Sequence, residues 1–576
     1  MNVFWQKSPI FLELFINGLF ILLYSLKIME RLPSSFQAED VTRILNIGSY
    51  IIPFVIFYSI VLNFICAKNV ETFIRKHIFS ITVFVPLVIT WGDSYFSFAL
   101  CSAHLLSSIL SLYDNDKPKS IGRSVKYKDT LFGNIRLKPA QIVLLSFSGV
   151  ILFGTFFLML PFSTVSSQSM GFVDALFMAT SATCVTGLAT QSLATDLSTF
   201  GQIVTLVLIQ IGGLSIMTLY SSMIILLGRS FGMKDRVIMQ DLFDVSSLEG
   251  LFGMIIDIVK YTFIIELWGA IILTIAFSFD GFEFGKALYY GFFHSISAFC
   301  NAGFSLFDTS LENYATNPLI NGTISLLIML GGIGFVALKE IREVVVNGKK
   351  FVRLGLHTKV VLTTSFLLTV LGALFIFFGE FLHALDTYTL WEKAQIAIFQ
   401  SITLRTAGFN TIPLTSLHTY TLYAMTLFMF IGGSPGSTAG GVKTTTLAIL
   451  VQSIVSTLKG HKEVLIFDRK IPSIVVVRAV ALMFISILIT SFFIFAIMIL
   501  EPDQSFLSIF FEVISASGTV GLSLGLTPFL SAAGKVCISM LMFSGRIGPL
   551  TLVLAIGSQE KYTGKIDYPD GRIMIG

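Results

Sequence analysis

The sequence predicts an all-α polytopic membrane protein made of four helix–re-entrant loop–helix repeats, with extra spans at the N-terminus. Three observations predict this fold class: the composition, the placement of the basic residues, and a glycine-centred segment that recurs four times. The chain has 576 residues, of which 54% are hydrophobic and only 12% charged. Soluble globular chains carry about 25% charged residues, so an aqueous surface is excluded. The apolar residues fall in blocks of the length that a hydrocarbon core of about 30 Å requires, separated by short polar loops.

Basic residues gather around Lys117–Lys138, Arg229–Arg236, Lys339–Lys359, Lys459–Arg478 and in a tail with Lys561, Lys565 and Arg572. The segments between carry acids instead, among them Asp280, Glu283, Asp308, Glu312, Glu380, Asp386, Glu501 and Asp503. Lys and Arg mark cytoplasmic loops, so every basic cluster, with the C-terminus, is expected on the inner side. Between successive clusters lie two long apolar segments and a shorter amphipathic one. Two spans and a re-entrant middle element return the chain to the same side.

The expected organisation is 1–113 as extra N-terminal spans, 114–138 as a basic cytoplasmic linker, then repeats over 139–230, 231–345 and 346–462. Residues 463–576 form the fourth repeat and a cytoplasmic tail. The N-terminal part contains apolar segments near 11–28, 47–66, 78–91 and 94–112; the first lacks a small-residue cleavage site and reads as a retained span.

The middle elements carry the repeat. They read FMATSATCVTGLAT (177–190), FHSISAFCNAGFSLF (293–307), FQSITLRTAGFNT (399–411) and FEVISASGTVGLSLG (511–525). Their glycines, Gly187, Gly303, Gly408 and Gly521, stand 116, 105 and 113 residues apart. Repeats one, two and four place Phe (Phe177, Phe293, Phe511) ten residues before the glycine and Ser (Ser181, Ser297, Ser515) six before it. The third keeps the pattern with one residue fewer, as Phe399 and Thr403. Further on, Gly212-Gly213, Gly331-Gly332, Gly432-Gly433 and Gly545-Arg546 recur within the following helices, where small residues let backbones approach.

A dehydrated cation crossing a membrane needs oxygen ligands, and neutral carbonyls supply them without trapping it. Aiming successive carbonyls at one axis needs backbone conformations that glycine reaches freely. Four half-helices, each followed by x-x-Gly, therefore read as one pore with pseudo-fourfold symmetry. No ring of carboxylates accompanies it, which argues against calcium-type selectivity. Glu512 reads either as an attractor of cations or as a solvated surface acid, and Arg405 as a brace beside the third segment.

The segments VTGL, NAGF, TAGF and TVGL, in this order, resemble the four filters of the Trk/Ktr/HKT superfamily of potassium transporters, and most resemble the membrane subunit of the bacterial Ktr system. The resemblance covers about 140–560. It implies potassium uptake in the bacterial inner membrane, with Gly187 at the first filter favouring potassium over sodium. It assigns ion coordination to the backbone of Val185, Thr186 and Gly187; Asn301, Ala302 and Gly303; Thr406, Ala407 and Gly408; and Thr519, Val520 and Gly521. Cys184 and Cys300, just before two of these segments, are expected to pack behind the filter.

The run Gly432, Gly433, Ser434, Pro435, Gly436, Ser437, Thr438, Ala439, Gly440, Gly441, Val442, Lys443 cannot hold a continuous helix. It is not a phosphate-binding loop, because Val442 separates Gly441 from Lys443. The resemblance makes it an intramembrane loop that obstructs the pore below the filter and moves on activation. Arg546, mid-span where other repeats have glycine, raises a barrier to cations unless a buried acid pairs with it. The resemblance makes it a pore-lining partner of the gating loop.

The five cysteines show no CxxC or Cys/His spacing, so neither a disulfide framework nor a zinc site is indicated, and no covalent cofactor is expected. The seven scattered histidines include no HExxH, which argues against an intramembrane enzyme. A secondary transporter of another cation or small solute remains the alternative, although two inverted halves would suit it better. The resemblance implies a homodimer in lipid above a ring of cytoplasmic nucleotide-binding regulatory subunits, since this chain has no nucleotide site of its own. Nothing suggests nucleic acid. Potassium is the expected cargo, and both passive conduction and sodium-coupled uptake, with sodium as a coupling or activating ion, fit these residues.

Overall fold

The structure, a computed structural model, describes residues 139–214, 248–346, 348, 354–461 and 463–548, with isolated positions before residue 103. The expected N-terminal spans, the linker and the tail lie outside the described residues. Chain contacts separate a unit Met1–Thr130 from a unit Leu131–Gly576. The elements below belong to the second, whose described residues are mostly helical.

Its first repeat is α1 (Pro139–Leu158), the short α2 (Phe172–Thr183) and α3 (Thr199–Gly213). The second is α4 (Leu248–Phe279), α5 (Phe284–Phe299), α6 (Pro318–Ile333) and α7 (Phe335–Val346). The third is α8 (Leu356–Glu380), α9 (Leu390–Thr403), α10 (Thr419–Phe430) and α11 (Thr444–Leu458). A two-stranded hairpin, Leu465–Ile466 with Arg469–Lys470, then leads to α12 (Ser473–Leu500), α13 (Phe506–Gly518) and α14 (Ala532–Ile547) of the fourth.

Length separates the helix types. Ile256–Phe279, Leu356–Glu380 and Ser473–Leu500 have 24, 25 and 28 residues. At about 1.5 Å per residue each crosses a core of about 30 Å. The middle helices α2, α5, α9 and α13 have 12, 16, 14 and 13 residues and are too short to do so. Polar caps mark several starts: Ser198, Asn317 and Ser531 cap the helices that follow the first, second and fourth filters, and Thr389 with Glu392 forms a capping box on α9.

The long helices turn apolar faces outward. Phe263, Leu267, Trp268 and Ile271 on α4, Phe366, Leu371 and Phe375 on α8, and Phe484, Leu488 and Phe492 on α12 are all exposed. Such a belt is costly in water and costs nothing against acyl chains. The middle helices face inward. Phe177, Phe293, Phe399 and Phe511, one per repeat, are fully buried.

Among the described residues, the second spans of two repeats are broken, not one. The sequence identifies the break in repeat three, but α6 also ends at Gly334, with α7 bent away by 106°. Gly334 has φ +98°, a conformation that side chains resist and that stops the helix. The hairpin over 465–470 is a second element that the apolar pattern does not signal.

Candidate pore filter and the loop beneath it

Each middle helix stops just before its glycine, and the four segments then repeat one backbone conformation. Val185, Asn301, Thr406 and Thr519, two residues before each glycine, have φ of +57°, +59°, +67° and +52°. Gly187, Gly303, Gly408 and Gly521 have φ of +96°, +72°, +77° and +94°. In every segment two residues of positive φ flank one that lacks it, an alternation that lets successive carbonyls face one side. The four non-glycine residues each cost about 1–2 kcal/mol in this state, strain that the surrounding packing must hold.

The segments close into a ring. A Cβ on Gly187 would stand 2.5 Å from the carbonyl oxygen of Ala302, and one on Gly303 would stand 2.8 Å from that of Ala407. One on Gly408 would meet the Val520 oxygen at 2.6 Å, and one on Gly521 would overlap the Thr186 oxygen. The Cα atoms of neighbouring filter glycines lie 2.8–3.3 Å from these same positions. The repeats therefore follow one another around a single axis in chain order. The carbonyl oxygen preceding each glycine abuts the glycine of the repeat before it.

The serines seen in the sequence do more than pack. Ser181 Oγ accepts from the Gly187 amide at 3.1 Å and Ser515 Oγ from the Gly521 amide at 3.0 Å, while Ser297 Oγ donates to the Phe304 carbonyl at 2.7 Å. Thr403 stands in the missing-residue register: Ala407 N donates to Thr403 O, where the other repeats bond Thr186 to Ser181, Ala302 to Ser297 and Val520 to Ser515. The hydroxyls of Thr186, Thr406 and Thr519 are buried and without a hydrogen-bond partner. The amide nitrogen of Asn301, in the orientation that satisfies both acceptors, donates to Ala298 O at 3.0 Å and Ile328 O at 3.2 Å, away from the ring.

Beneath the ring, α3, α6 and α14 bring Gly212, Gly331 and Gly545 against the last carbonyls of the middle helices, those of Thr183, Phe299 and Ser517. No Cβ fits at these positions, which accounts for the recurrent glycines. In repeat three Gly432 meets the returning loop at Gly440 instead. The loop between α10 and α11 is largely buried and pairs with the break in repeat two. Ser434 N donates to Gly332 O at 3.0 Å, Thr438 N to Gly331 O at 3.2 Å, and Phe335 N to Gly436 O at 3.0 Å. Thr438 Oγ1 donates to Phe299 O at 3.1 Å. A helix break at membrane depth frees backbone groups that lipid cannot satisfy, so each irregular segment needs the other. Lys443 Nζ folds back onto Ala439 O at 2.8 Å, and Gly440 lies against the Thr519 hydroxyl of the filter.

Arg546 is buried and donates to Thr438 O in the loop and to Gly212 O at the end of α3. Among the described residues it has no acidic partner, so the ion-pair alternative is replaced by carbonyls at a helix C-terminus, whose dipole favours a cation. Its Nε is unpartnered.

Glu512 is not a solvated surface acid. It is fully buried and accepts from Ser523 Oγ at 2.7 Å and from Thr527 Oγ1, tying α13 to the chain that follows the filter. Arg405 closes its helix through its backbone, but its half-buried guanidinium has no hydrogen-bond partner among the described residues and braces nothing by that means. Cys184 is buried, and Cys300 Sγ lies 3.7 Å from Glu266, a buried acid in α4 that also accepts from Gln210 at 3.2 Å. The sequence carries no periodic signal for that trio. Above the ring, a cavity of ≈ 200 Å³ opens among Glu312, Gly408, Asn410, Gly521 and Ser523.

Residues 131–565 match the family model described as TrkH, cation transport protein. The chain is 39% identical over 451 residues to the Ktr system potassium uptake protein B of Bacillus subtilis, covering 78% of this chain and 99% of that one. It is 36% identical over 449 residues to the potassium/sodium uptake protein NtpJ of Enterococcus hirae, covering 77% and 98%. The crystal structure of the potassium transporter TrkH from Vibrio parahaemolyticus has the same fold, with a TM-score of 0.57 at 18% identity, covering 91% of this chain and 99% of that one. A ring of four related segments and these matches give one conclusion: the chain is a membrane protein of the TrkH cation transport family.

Proposed function

We propose that this chain is the membrane subunit of a potassium uptake system, passing dehydrated potassium through the ring formed at Gly187, Gly303, Gly408 and Gly521. The observation that carries this reading is the closed ring itself, in which the carbonyl before each glycine abuts the glycine of the preceding repeat. Neutral oxygens at matched depth replace a hydration shell. The Gly432–Lys443 loop and Arg546 are the gate: they occupy the path below the filter, and a cation there repels another. Opening requires Arg546 to leave Thr438 or the loop to leave the break at Gly334. The basic segments face the cytoplasm, where a regulatory subunit docks, and the chain works as a homodimer.

The test is growth of potassium-uptake-deficient bacteria on low potassium. Expression with a cognate regulatory subunit restores growth if the reading holds; absence of rescue with the protein present in the membrane overturns it. A second reading, sodium-linked uptake, is favoured by likeness to a relative named for both ions. It requires potassium influx to rise with external sodium.

A further inference from the structure

Far from the filter, the end of α8 and the start of α10 bring three ligand-type side chains together. Ligand atoms of Glu380, His383 and His418 all lie within 4.8 Å of one another. Glu380 is the last residue of α8 and is fully buried. One of its carboxylate oxygens meets His383 Nδ1 at 3.0 Å, and the other accepts from the backbone N–H of His418 at 2.9 Å. The carboxylate thus joins the C-terminus of α8 to the N-terminus of α10. The His383 and His418 rings stack at 3.9 Å between centroids, and Tyr420 stacks on the far side of His418 at 4.9 Å.

We propose that this cluster is a binding site for a divalent transition-metal ion of the zinc class, held by one carboxylate and two imidazoles with water completing the shell. An imidazole nitrogen with a free lone pair is a usual ligand for such an ion. His418 ring nitrogens have no hydrogen-bond partner among the described residues. Zinc takes this donor set at about 2.0–2.1 Å per bond, which sets ligand atoms about 3.3 Å apart. The Glu380–His383 separation of 3.0 Å is close to that value, and the ligand atoms of all three residues already lie within 4.8 Å of one another. The second carboxylate oxygen, bonded to the His418 amide, orients the ligand as an outer partner does. The negative end of α8 favours a cation at this point. Nearby, the Lys393 ammonium lies on Phe381 O at 2.8 Å and over its ring at 4.2 Å, already using the carbonyl beyond the helix end but not the cluster.

The site lies at the opposite end of α10 from the loop that begins at Ile431. A bound ion would pin α10 to α8 and hold the element from which the loop hangs. Its placement on the outer face, and its bearing on transport, rest on the reading above; the binding itself does not.

Calorimetric titration of tag-free, full-length protein in detergent with zinc chloride tests it. One saturable ion per chain is expected, weakened at least about tenfold by His383→Gln and abolished by the pair His383→Gln with His418→Gln. Gln at position 383 keeps a donor within reach of Glu380 and His418 makes no side-chain cap, so both variants without zinc should still unfold cooperatively, at a midpoint no more than a few degrees below the wild type. The absence of saturable binding, or binding equal in the double variant, overturns the site. External zinc is further expected to slow rubidium uptake by wild-type proteoliposomes and not by the double variant. Equal uptake at saturating zinc overturns the coupling through α10.

Discussion

Replacing Gly303 by alanine probes the ring most directly. The residue sits at φ +72°, so any L side chain costs about 1–2 kcal/mol there before it touches anything. The new Cβ would then lie 2.8 Å from the Ala407 oxygen and 2.8 Å from the Gly408 Cα, both backbone atoms of the next repeat. Neither can rotate away as a side-chain tip would. Relief comes only by moving Ala407 O, one of the four ring oxygens, outward. Losing about 1–2 kcal/mol of site geometry corresponds to roughly 5–30-fold in occupancy. Initial rates of potassium and rubidium uptake into proteoliposomes, at matched protein content, should fall by that factor, with sodium discrimination falling too. Gly322→Ala is the control, because a Cβ there meets nothing within 4 Å and the residue lies in the α6 helix of the same repeat. Uptake by Gly303→Ala within about twofold of the control would refute the assignment of Gly303 to the conducting ring.

Ser181→Ala removes the acceptor of the partly buried Gly187 amide, a loss of about 0.5–1.5 kcal/mol, and should lower potassium-over-sodium discrimination in competitive uptake; unchanged discrimination would reduce Ser181 to packing. Arg546→Ala removes two charge-assisted bonds of about 1.5–3 kcal/mol each and a buried positive charge, so flux without the regulatory subunit should rise; unchanged flux at normal expression would exclude Arg546 as the barrier. Glu512→Ala strands the Ser523 and Thr527 hydroxyls and opens a cavity, so thermal unfolding should shift down, whereas Glu512→Gln keeps an acceptor and should shift it less.

The repeat was legible because both its chemistry and its geometry demand particular residues at fixed offsets. A left-handed turn against a neighbouring carbonyl admits only glycine, so Gly187, Gly303, Gly408 and Gly521 stand out in one dimension. The missing residue of repeat three could also be read, and the Thr403 bond to Ala407 has the register it implies. Other features left no such trace. Gly334 looks like one more small residue after Gly331-Gly332, and its role depends on which loop arrives to take up the freed backbone groups. Glu512 is surrounded in sequence by apolar residues and could have faced water; its partners lie 11 and 15 residues further on, across the filter.

By itself the sequence determined the membrane as solvent, the fourfold repetition and the residue at the centre of each repeat, because lipid forbids charge and a tight ring forbids side chains. Only the tertiary structure decided what these elements meet. It set the loop after α10 on the break at Gly334, gave Arg546 carbonyls in place of an acid, and drew Glu380, His383 and His418 together. Those pairings join residues far apart in the chain, and the spacing of residues along one strand of sequence carries no distance between two helices.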